Sequence, residues 1–309
     1  MPDNNTCIGR RLIIDENGSR IINKPSIKRL LQQKSLLRFC GATDAMDARI
    51  VEEVGFEGVW ISSFEIHASC RLPDADILTV SDYSQICNRI ADRIDIPILM
   101  DGDAGGGSPI NTIRMVREYE KNGAFGICIE DNKYPKRCSF YQSVSRELEN
   151  PRMHAMKIKA ACDNRTNKEF MIIARTESLI VGNTVEDAVY RASCYADAGA
   201  DAILIHHKGK DVNPIFEFAE KFKKSIPLVC VPTTYNQVTE QELRDHGYSI
   251  VIYANYGIRA SVKTMQQMLK KIAVHGTLSA ANEDVVEMGE IFRLVGLEDL
   301  QRNEQKYSL

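Results

Sequence analysis

Residues 97–107 read PILMDGDAGGG, a short apolar run that stops at an aspartate and breaks into glycines. The run has the length and composition of a buried strand, and the Gly-rich segment after it is a turn. A dinucleotide-binding sheet would place a GxGxxG turn after an early strand. Here residues 102–107 read Gly-Asp-Ala-Gly-Gly-Gly, which lacks that spacing, follows the third strand-like run, and is the one Gly-rich stretch in the sequence. An open Rossmann-type sheet is thereby disfavoured, and the flanking segments decide what replaces it.

On either side, apolar β-branched runs alternate with helix-period segments. The strand-like runs are 37–42, 58–62, 97–101, 125–130, 170–175, 202–206, 228–232 and 250–254. Between them lie predicted helices at 46–54, 81–93, 112–122, 153–162, 185–198, 214–224 and 240–246, with 259–274 and 284–294 following the last strand. Thr184 is suited to cap the helix after it, and Gly123 and Gly199 to end the helices before them. Strands alternating with helices imply a parallel sheet with right-handed crossovers. Eight such units in about 250 residues predict an α/β fold of the (β/α)8, TIM-type barrel class. With no linker-like stretch, residues 26–309 read as a single barrel domain with C-terminal helices, preceded by an N-terminal arm at 1–25.

The composition is that of an ordinary globular chain of 309 residues, 44% hydrophobic and 26% charged. A net charge of -3 gives no bulk reason to expect nucleic acid or an anionic membrane as a partner. Nine cysteines, an odd number without a CxxC pair, read as reduced thiols of a cytoplasmic protein. No signal peptide is legible, and no apolar stretch approaches the roughly 20 residues that span a bilayer.

In a (β/α)8 barrel the chemistry lies at the C-terminal ends of the strands. Those ends carry Trp60 and Ser62, Asp101 and Asp103, Glu130 and Asp131, Arg175 and Glu177, His206 and His207, Thr233 and Thr234, and Asn255. Acidic residues finishing successive strands and joined by Arg and His are more than solvation requires. Asp101, Asp103 and Glu130 are oxygen donors that suit Mg2+, or Mn2+, better than zinc. Asp101 and Asp103 can share a face if the strand continues through both. Arg175 offers a fork of donors to a carboxylate or phosphoryl group, or forms a buried ion pair with Glu177 or Glu130. His206 is a candidate hydrogen-bond donor to substrate, with His207 pointing the other way. The polar segment after the fourth strand carries Lys133, Lys136, Arg137 and Cys138 and reads as a cationic lid over an anionic substrate. Cys138, beside two cations, is expected to have a lowered thiol pKa.

At these residues the sequence resembles the phosphoenolpyruvate mutase and isocitrate lyase superfamily, within it the mutase and phosphonopyruvate hydrolase branch. The resemblance runs from about Leu37 to Tyr307 and rests on GFEGVWISSFEIHAS (55–69), LPDADIL (72–78), PILMDGDAGGG, CIEDNKYPKRCSF (128–140), IIARTESLIVG (172–182), ADAILIHHK (200–208), VPTTY (231–235), VIYANYGIRAS (251–261) and EIFRL (290–294). It implies Mg2+ and a small anionic keto acid or enolate, with Asp101 the direct metal ligand and Asp103 and Glu130 holding its waters. It further implies Arg175 as the substrate anchor, His206 at the phosphoryl or leaving group, Trp60, Ser62 and Ser63 around the pyruvyl carboxylate, Ser139 in the substrate-contacting lid, Asp74 as a catalytic aspartate and Lys136 as the lid lysine. Family dimers exchange terminal helices, so a homodimer or homotetramer with a swapped C-terminal helix is expected.

The lid departs from the family's patterns. Asn132 stands where mutases carry Lys, and Cys138-Ser139 where they carry Asn-Ser; Pro-Lys-Arg-Cys is lyase-like, but Ser139-Phe140 breaks the lyase motif. The expected activity is a mutase-type interconversion of phosphoenolpyruvate and phosphonopyruvate through a pyruvate enolate. The alternatives are phosphonopyruvate hydrolysis, with Cys138 protonating the enolate carbon, and C–C cleavage of the isocitrate lyase type. A silent barrel that binds a keto acid or phosphonate is a further alternative, and the intact Asp74, Asp101, Asp103 and Glu130 argue against it.

Overall fold

The structure is a computed structural model describing residues 13–14, 20–21, 24–141 and 145–308. The sequence places 26–309 in one domain; by contacts the described chain falls into two compact units, Lys24–Ile258 and a second built around Arg259–Leu309. The arm at 1–25 lies mostly outside the described residues, which begin with the antiparallel pair Ile13–Ile14 and Arg20–Ile21.

All eight strand-like runs form strands: β1 (Leu37–Gly41), β2 (Gly58–Ile61), β3 (Ile98–Asp101), β4 (Gly126–Glu130), β5 (Met171–Thr176), β6 (Ala202–Ile205), β7 (Leu228–Cys230) and β8 (Tyr248–Tyr253). They pair in parallel in chain order, and β8 closes on β1 with Ile250 beside Leu37, so the described strands form a closed barrel. Alternate strand residues such as Ile61, Met100, Ile127, Ile129, Ile203 and Ile205 pack outward with Ile90, Tyr119, Ile158, Tyr195 and Phe218 of the surrounding helices. The barrel interior is packed as tightly: a Cβ at Gly58 would lie 2.2 Å from the Phe39 ring, so only glycine admits that ring.

The helix boundaries follow local chemistry. The Thr184 hydroxyl accepts from the Asp187 amide at the start of Val185–Asp197, a cap worth about 1 kcal/mol. Gly123 and Gly199 both adopt positive φ just beyond helix ends, as their positions predict. Three helices were not legible in the sequence: Ile27–Gln33, Ser63–Ser69 and Leu297–Tyr307. Ser63–Ser69 is only seven residues long and is set by Ser62, whose hydroxyl accepts from the Glu65 amide. It splits the β2–β3 crossover and lifts the loop carrying Asp74 to the catalytic face.

In the second unit, the end of the helix Tyr256–His275 is followed by a 3-10 segment, Leu278–Asp284, and the helices Met288–Leu294 and Leu297–Tyr307. Lys271 pairs with Asp284 within it at 2.6 Å. Its apolar residues are largely exposed, among them Val262, Met265, Leu269 and Phe292.

Candidate active site

The ends of β2 to β6 bring the predicted residues into one buried cluster. Asp101 finishes β3, and its Oδ2 accepts from the Ser63 amide (3.3 Å) and hydroxyl (3.1 Å) at the start of Ser63–Ser69. The strand stops there, as the 97–101 reading has it, so the condition for Asp101 and Asp103 to share a strand face is not met. Instead Asp103 takes a left-handed conformation, φ 45°, and donates its amide to Asp101 Oδ1 at 3.2 Å. Its carbonyl accepts from the Glu130 amide at 2.8 Å. The turn therefore brings both carboxylates to β4's Glu130 by backbone hydrogen bonds, where simple strand alternation would not.

Lys136 reaches into this cluster from the lid. Its Nζ lies 2.8 Å from Asp74, 2.8 Å from Asp103 and 2.9 Å from the Ser63 hydroxyl. Burial opposes the ammonium form, but Asp103, Asp74 and Glu130 outweigh it and hold its pKa well above the ordinary value. His67, fully buried, supports the same corner. Its Nε2 accepts from the Leu78 amide (3.3 Å), so the proton sits on Nδ1 and donates to the Ser63 carbonyl at 2.8 Å.

The opposite wall comes from β5 and β6. Arg175 pairs with Glu130 at 3.2 Å and donates Nε to Glu177 at 2.6 Å. His206 Nδ1 lies 2.8 Å from both Glu177 Oε1 and Arg175 Nη2. These cannot both be hydrogen bonds to one ring nitrogen, since Arg175 only donates and Glu177 only accepts. A proton on Nδ1 satisfies the buried carboxylate, while the reverse tautomer would set a lone pair against it. Burial depresses the His206 pKa, keeping the ring neutral. Burial also opposes the charge on Glu177, but Arg175 and His206 prevail and hold its carboxyl well below the usual range.

The remaining carboxylates carry more charge than the protein balances. Burial, then Asp103, pushes Asp101 up to about 6; burial lifts Glu130 to about 8 against the pull of Arg175. Five buried carboxylates (Asp74, Asp101, Asp103, Glu130, Glu177) face two cations, Lys136 and Arg175. A divalent cation would supply the missing charge, and the all-oxygen donor set fits a hard ion. Among the described residues no three carboxylate, imidazole or thiol groups converge as a ready-made cage.

The cavity over the cluster is narrow, about 50 Å³, and is lined by Trp60, Ser62, Ser63, Asp74, Asp101, Glu130, Lys136, Cys138, Ser139, Arg175 and His206. Asp103 reaches it through Lys136. His207 is outside it, with its ring 6.0 Å from Tyr235.

Two expectations for the lid are overturned. Cys138 is 4% exposed, and burial pushes its thiol up to about 11 rather than down. Its sequence neighbour Lys136 is engaged by Asp74 and Asp103, and the Arg137 guanidinium donates to the Lys136 and Pro135 carbonyls. The cationic lid also contracts, to Lys136 and Arg137 at the cavity wall, because Lys133 is exposed and pairs with Glu147 at 2.5 Å.

Several residues of the site had no readable signal. The Lys136 amide donates to Asp76, the Asp74 amide donates to the Tyr141 hydroxyl (3.0 Å), and Arg146 donates to the Cys138 and Tyr141 carbonyls. Glu65 is buried beside β1, where a Cβ at Gly41 would lie 2.3 Å from its carboxylate, and it accepts from the amide of Asn255, held at φ 72°. Burial raises Glu65 to about 7.

The family described as phosphoenolpyruvate phosphomutase matches residues 27–273. The chain belongs to that family. It is 36% identical to the phosphoenolpyruvate phosphomutase of Tetrahymena pyriformis over 281 residues, 91% of this chain and 94% of that one. Among solved structures, the phosphoenolpyruvate phosphomutase from Streptomyces platensis subsp. rosaceus superposes with a TM-score of 0.89 at 36% identity, covering 92% of this chain and 98% of the other. A phosphonopyruvate hydrolase in complex with oxalate and Mg++ superposes with a TM-score of 0.83, also at 36% identity, covering 88% and 94%. The chain thus lies at equal identity from these mutase and hydrolase structures.

Proposed function

We propose that this chain is a Mg2+-dependent enzyme that interconverts phosphoenolpyruvate and phosphonopyruvate through the enolate of pyruvate. The observation that carries the reading is the single buried cluster in which Asp101, Asp103 and Glu130 stand beside Arg175 and His206 and beneath Lys136. Asp101, with Asp103 and Glu130 around it, would hold the ion; Mn2+ could take the same oxygens. When bound, the ion neutralises the enolate oxygen as a Lewis acid. Trp60, Ser62 and Ser63 seat the pyruvyl carboxylate. Arg175 offers its guanidinium edge to the phosphoryl group, whose transfer depends chiefly on positioning and charge stabilisation. His206, neutral and fixed by Glu177, stands at the same group. Asp74, anchored by Lys136, closes the reacting side, and the lid with Cys138 and Ser139 excludes water. In the mutase direction the P–O bond of phosphoenolpyruvate breaks and a P–C bond to the methylene carbon forms.

Cys138 favours a second reading, phosphonopyruvate hydrolysis. A neutral thiol lining the cavity can supply a proton to the enolate carbon, and it grips a phosphoryl group less firmly than an amide would. Phosphorus NMR with phosphonopyruvate decides between them: phosphoenolpyruvate forms in the mutase, while phosphate and pyruvate form in the hydrolase. Turnover that persists unchanged after chelation of divalent cations would contradict the metal assignment.

The substrate is a small anionic keto acid or its enol phosphate, which suits a cavity lined by Lys136 and Arg175. Val262, Met265 and Leu269 recur at helical spacing along Tyr256–His275 and are exposed, which supports a homodimer or homotetramer built on the C-terminal helices. No helix among the described residues is long and apolar enough to cross a membrane. The cysteines among the described residues are free thiols, which supports a reducing, cytoplasmic setting.

A further inference from the structure

Glu177 is fully buried and does not line the cavity, yet both its oxygens are committed to residues that do. Oε1 accepts from Arg175 Nε at 2.6 Å and from His206 Nδ1 at 2.8 Å. Oε2 accepts from the Ser139 hydroxyl at 2.7 Å, and Ser139 belongs to the lid. One carboxylate therefore joins the substrate-facing cation, the substrate-facing imidazole and the segment that closes over them.

The support beneath Glu177 is equally directed. Its amide donates to Asp131 Oδ1 at 2.8 Å, and Asp131 Oδ2 accepts from the Thr176 hydroxyl (2.9 Å), the Tyr195 hydroxyl (2.7 Å) and Arg191 (3.3 Å). Asp131 also roots the lid. Its carbonyl accepts from the Glu149 amide at 2.7 Å, and Arg191 donates to the Glu149 carbonyl at 3.0 Å. The lid's two roots and its middle are thus tied to the end of β5 and the residue after it, through Asp131 and through Glu177.

We infer that Glu177 is a positioning residue that couples closure of the lid, through Ser139, to the orientation of Arg175 and His206. With Ser139 docked, Oε2 is satisfied and the carboxylate plane is fixed, so Arg175 Nε and His206 Nδ1 meet Oε1. With the lid lifted, Oε2 loses its donor and the carboxylate is free to rotate, releasing both side chains from their aligned geometry. The inference rests on the proposed function only in taking Arg175 and His206 as substrate-facing.

The test uses the full chain without substrate, so it stands or falls apart from the phosphonate chemistry. Amide hydrogen exchange across residues 136–141 and the Arg175 Nε–H resonance are followed in wild type, Ser139→Ala, Glu177→Gln and the double variant. Each single substitution is expected to speed lid exchange by on the order of tenfold, with the double variant no faster than Glu177→Gln alone. Ser139→Ala is also expected to shift or broaden the Arg175 Nε–H signal, although Ser139 does not touch Arg175. Multiplicative effects on exchange, or an Arg175 signal unmoved by Ser139→Ala, would overturn the coupling. Should Glu177→Gln fail to fold, Ser139→Ala and its Arg175 signal decide the matter alone. Separately, a wild type that keeps the coupling but turns over neither phosphonopyruvate nor phosphoenolpyruvate would refute the proposed function and leave Glu177 in its role.

Discussion

The rim of the barrel and the lid above it are built by different physics, although both line the same cavity. Asp101, Glu130, Arg175 and His206 sit at or beside the last residues of β3 to β6, where ladder hydrogen bonds fix each backbone; Cys128 pairs with Asp101 and Arg175 with Glu130. The described residues among 131–141 and 145–150 have no ladder beyond one bridge, Asn132 to Leu148, and are held by side chains: Lys136 on Asp74 and Asp103, Ser139 on Glu177, Arg146 on Cys138 and Tyr141. Side-chain positions follow the fold in the rim, whereas in the lid the fold of the loop follows the side chains. A family can therefore keep the rim and alter the lid, changing what becomes of a common intermediate.

The largest effect that separates the two regions is predicted in the rim. Asp101→Asn should lower turnover about a thousandfold, the scale for loss of one essential charge-stabilising group, and should weaken Mg2+ binding by titration calorimetry. Turnover within tenfold of wild type would remove Asp101 from the metal site. Lys136→Met is the corresponding change in the lid. It leaves Asp74 and Asp103 facing one another unpaired and should cost about 3 kcal/mol of stability and about a hundredfold in activity. Chemical denaturation and steady-state rates check both, and a variant as stable and active as wild type would show that the lid closes without its lysine.

Cys138 gives a smaller contrast, read by pH. Burial holds its folded pKa near 11, above the ordinary thiol value of 9.0, so the folded form binds the proton more tightly than the unfolded form. The stabilising contribution is fully present below pH 9 and is lost as pH rises through 11. A thiol held that far up should also alkylate about a hundredfold more slowly at pH 8 than an unperturbed one, measurable by mass spectrometry of the modified peptide. Labelling at the free-thiol rate would mean that the lid stands open. The smallest effect belongs to Lys133→Ala, which removes an exposed ion pair with Glu147 and should change activity less than twofold. A larger loss would return Lys133 to the substrate.

The same contrast explains what the sequence could reveal. Strand periodicity located all eight strands, and the rule that barrel chemistry sits at strand ends identified Asp101, Glu130, Arg175 and His206. For Asp103 strand alternation was only a condition, and the geometry that carries it to Glu130 is a left-handed turn that the sequence pattern does not show. In the lid no periodicity says which side chains turn inward; only the family resemblance set Lys136 apart from Lys133, and the fold places Lys133 in water and Lys136 among carboxylates. Cys138 was misjudged from its neighbours in sequence: adjacency suggested nearby positive charge, but burial dominates and those cations have other partners. Asp76 and Tyr141 act through contacts distant in sequence and left no local signal.

The central claim is that the rim cleaves or forms the C–P bond while the lid around Cys138 decides the fate of the phosphoryl group. The most direct test is phosphorus NMR of wild type and Cys138→Asn acting on phosphonopyruvate with Mg2+, recording total consumption and the ratio of phosphoenolpyruvate to phosphate. Phosphoenolpyruvate should form with wild type, and Cys138→Asn should raise its share further or hold it near complete while total consumption stays within severalfold. Phosphate as the sole product of both proteins, or loss of C–P cleavage in the variant with no change in the ratio, would contradict it.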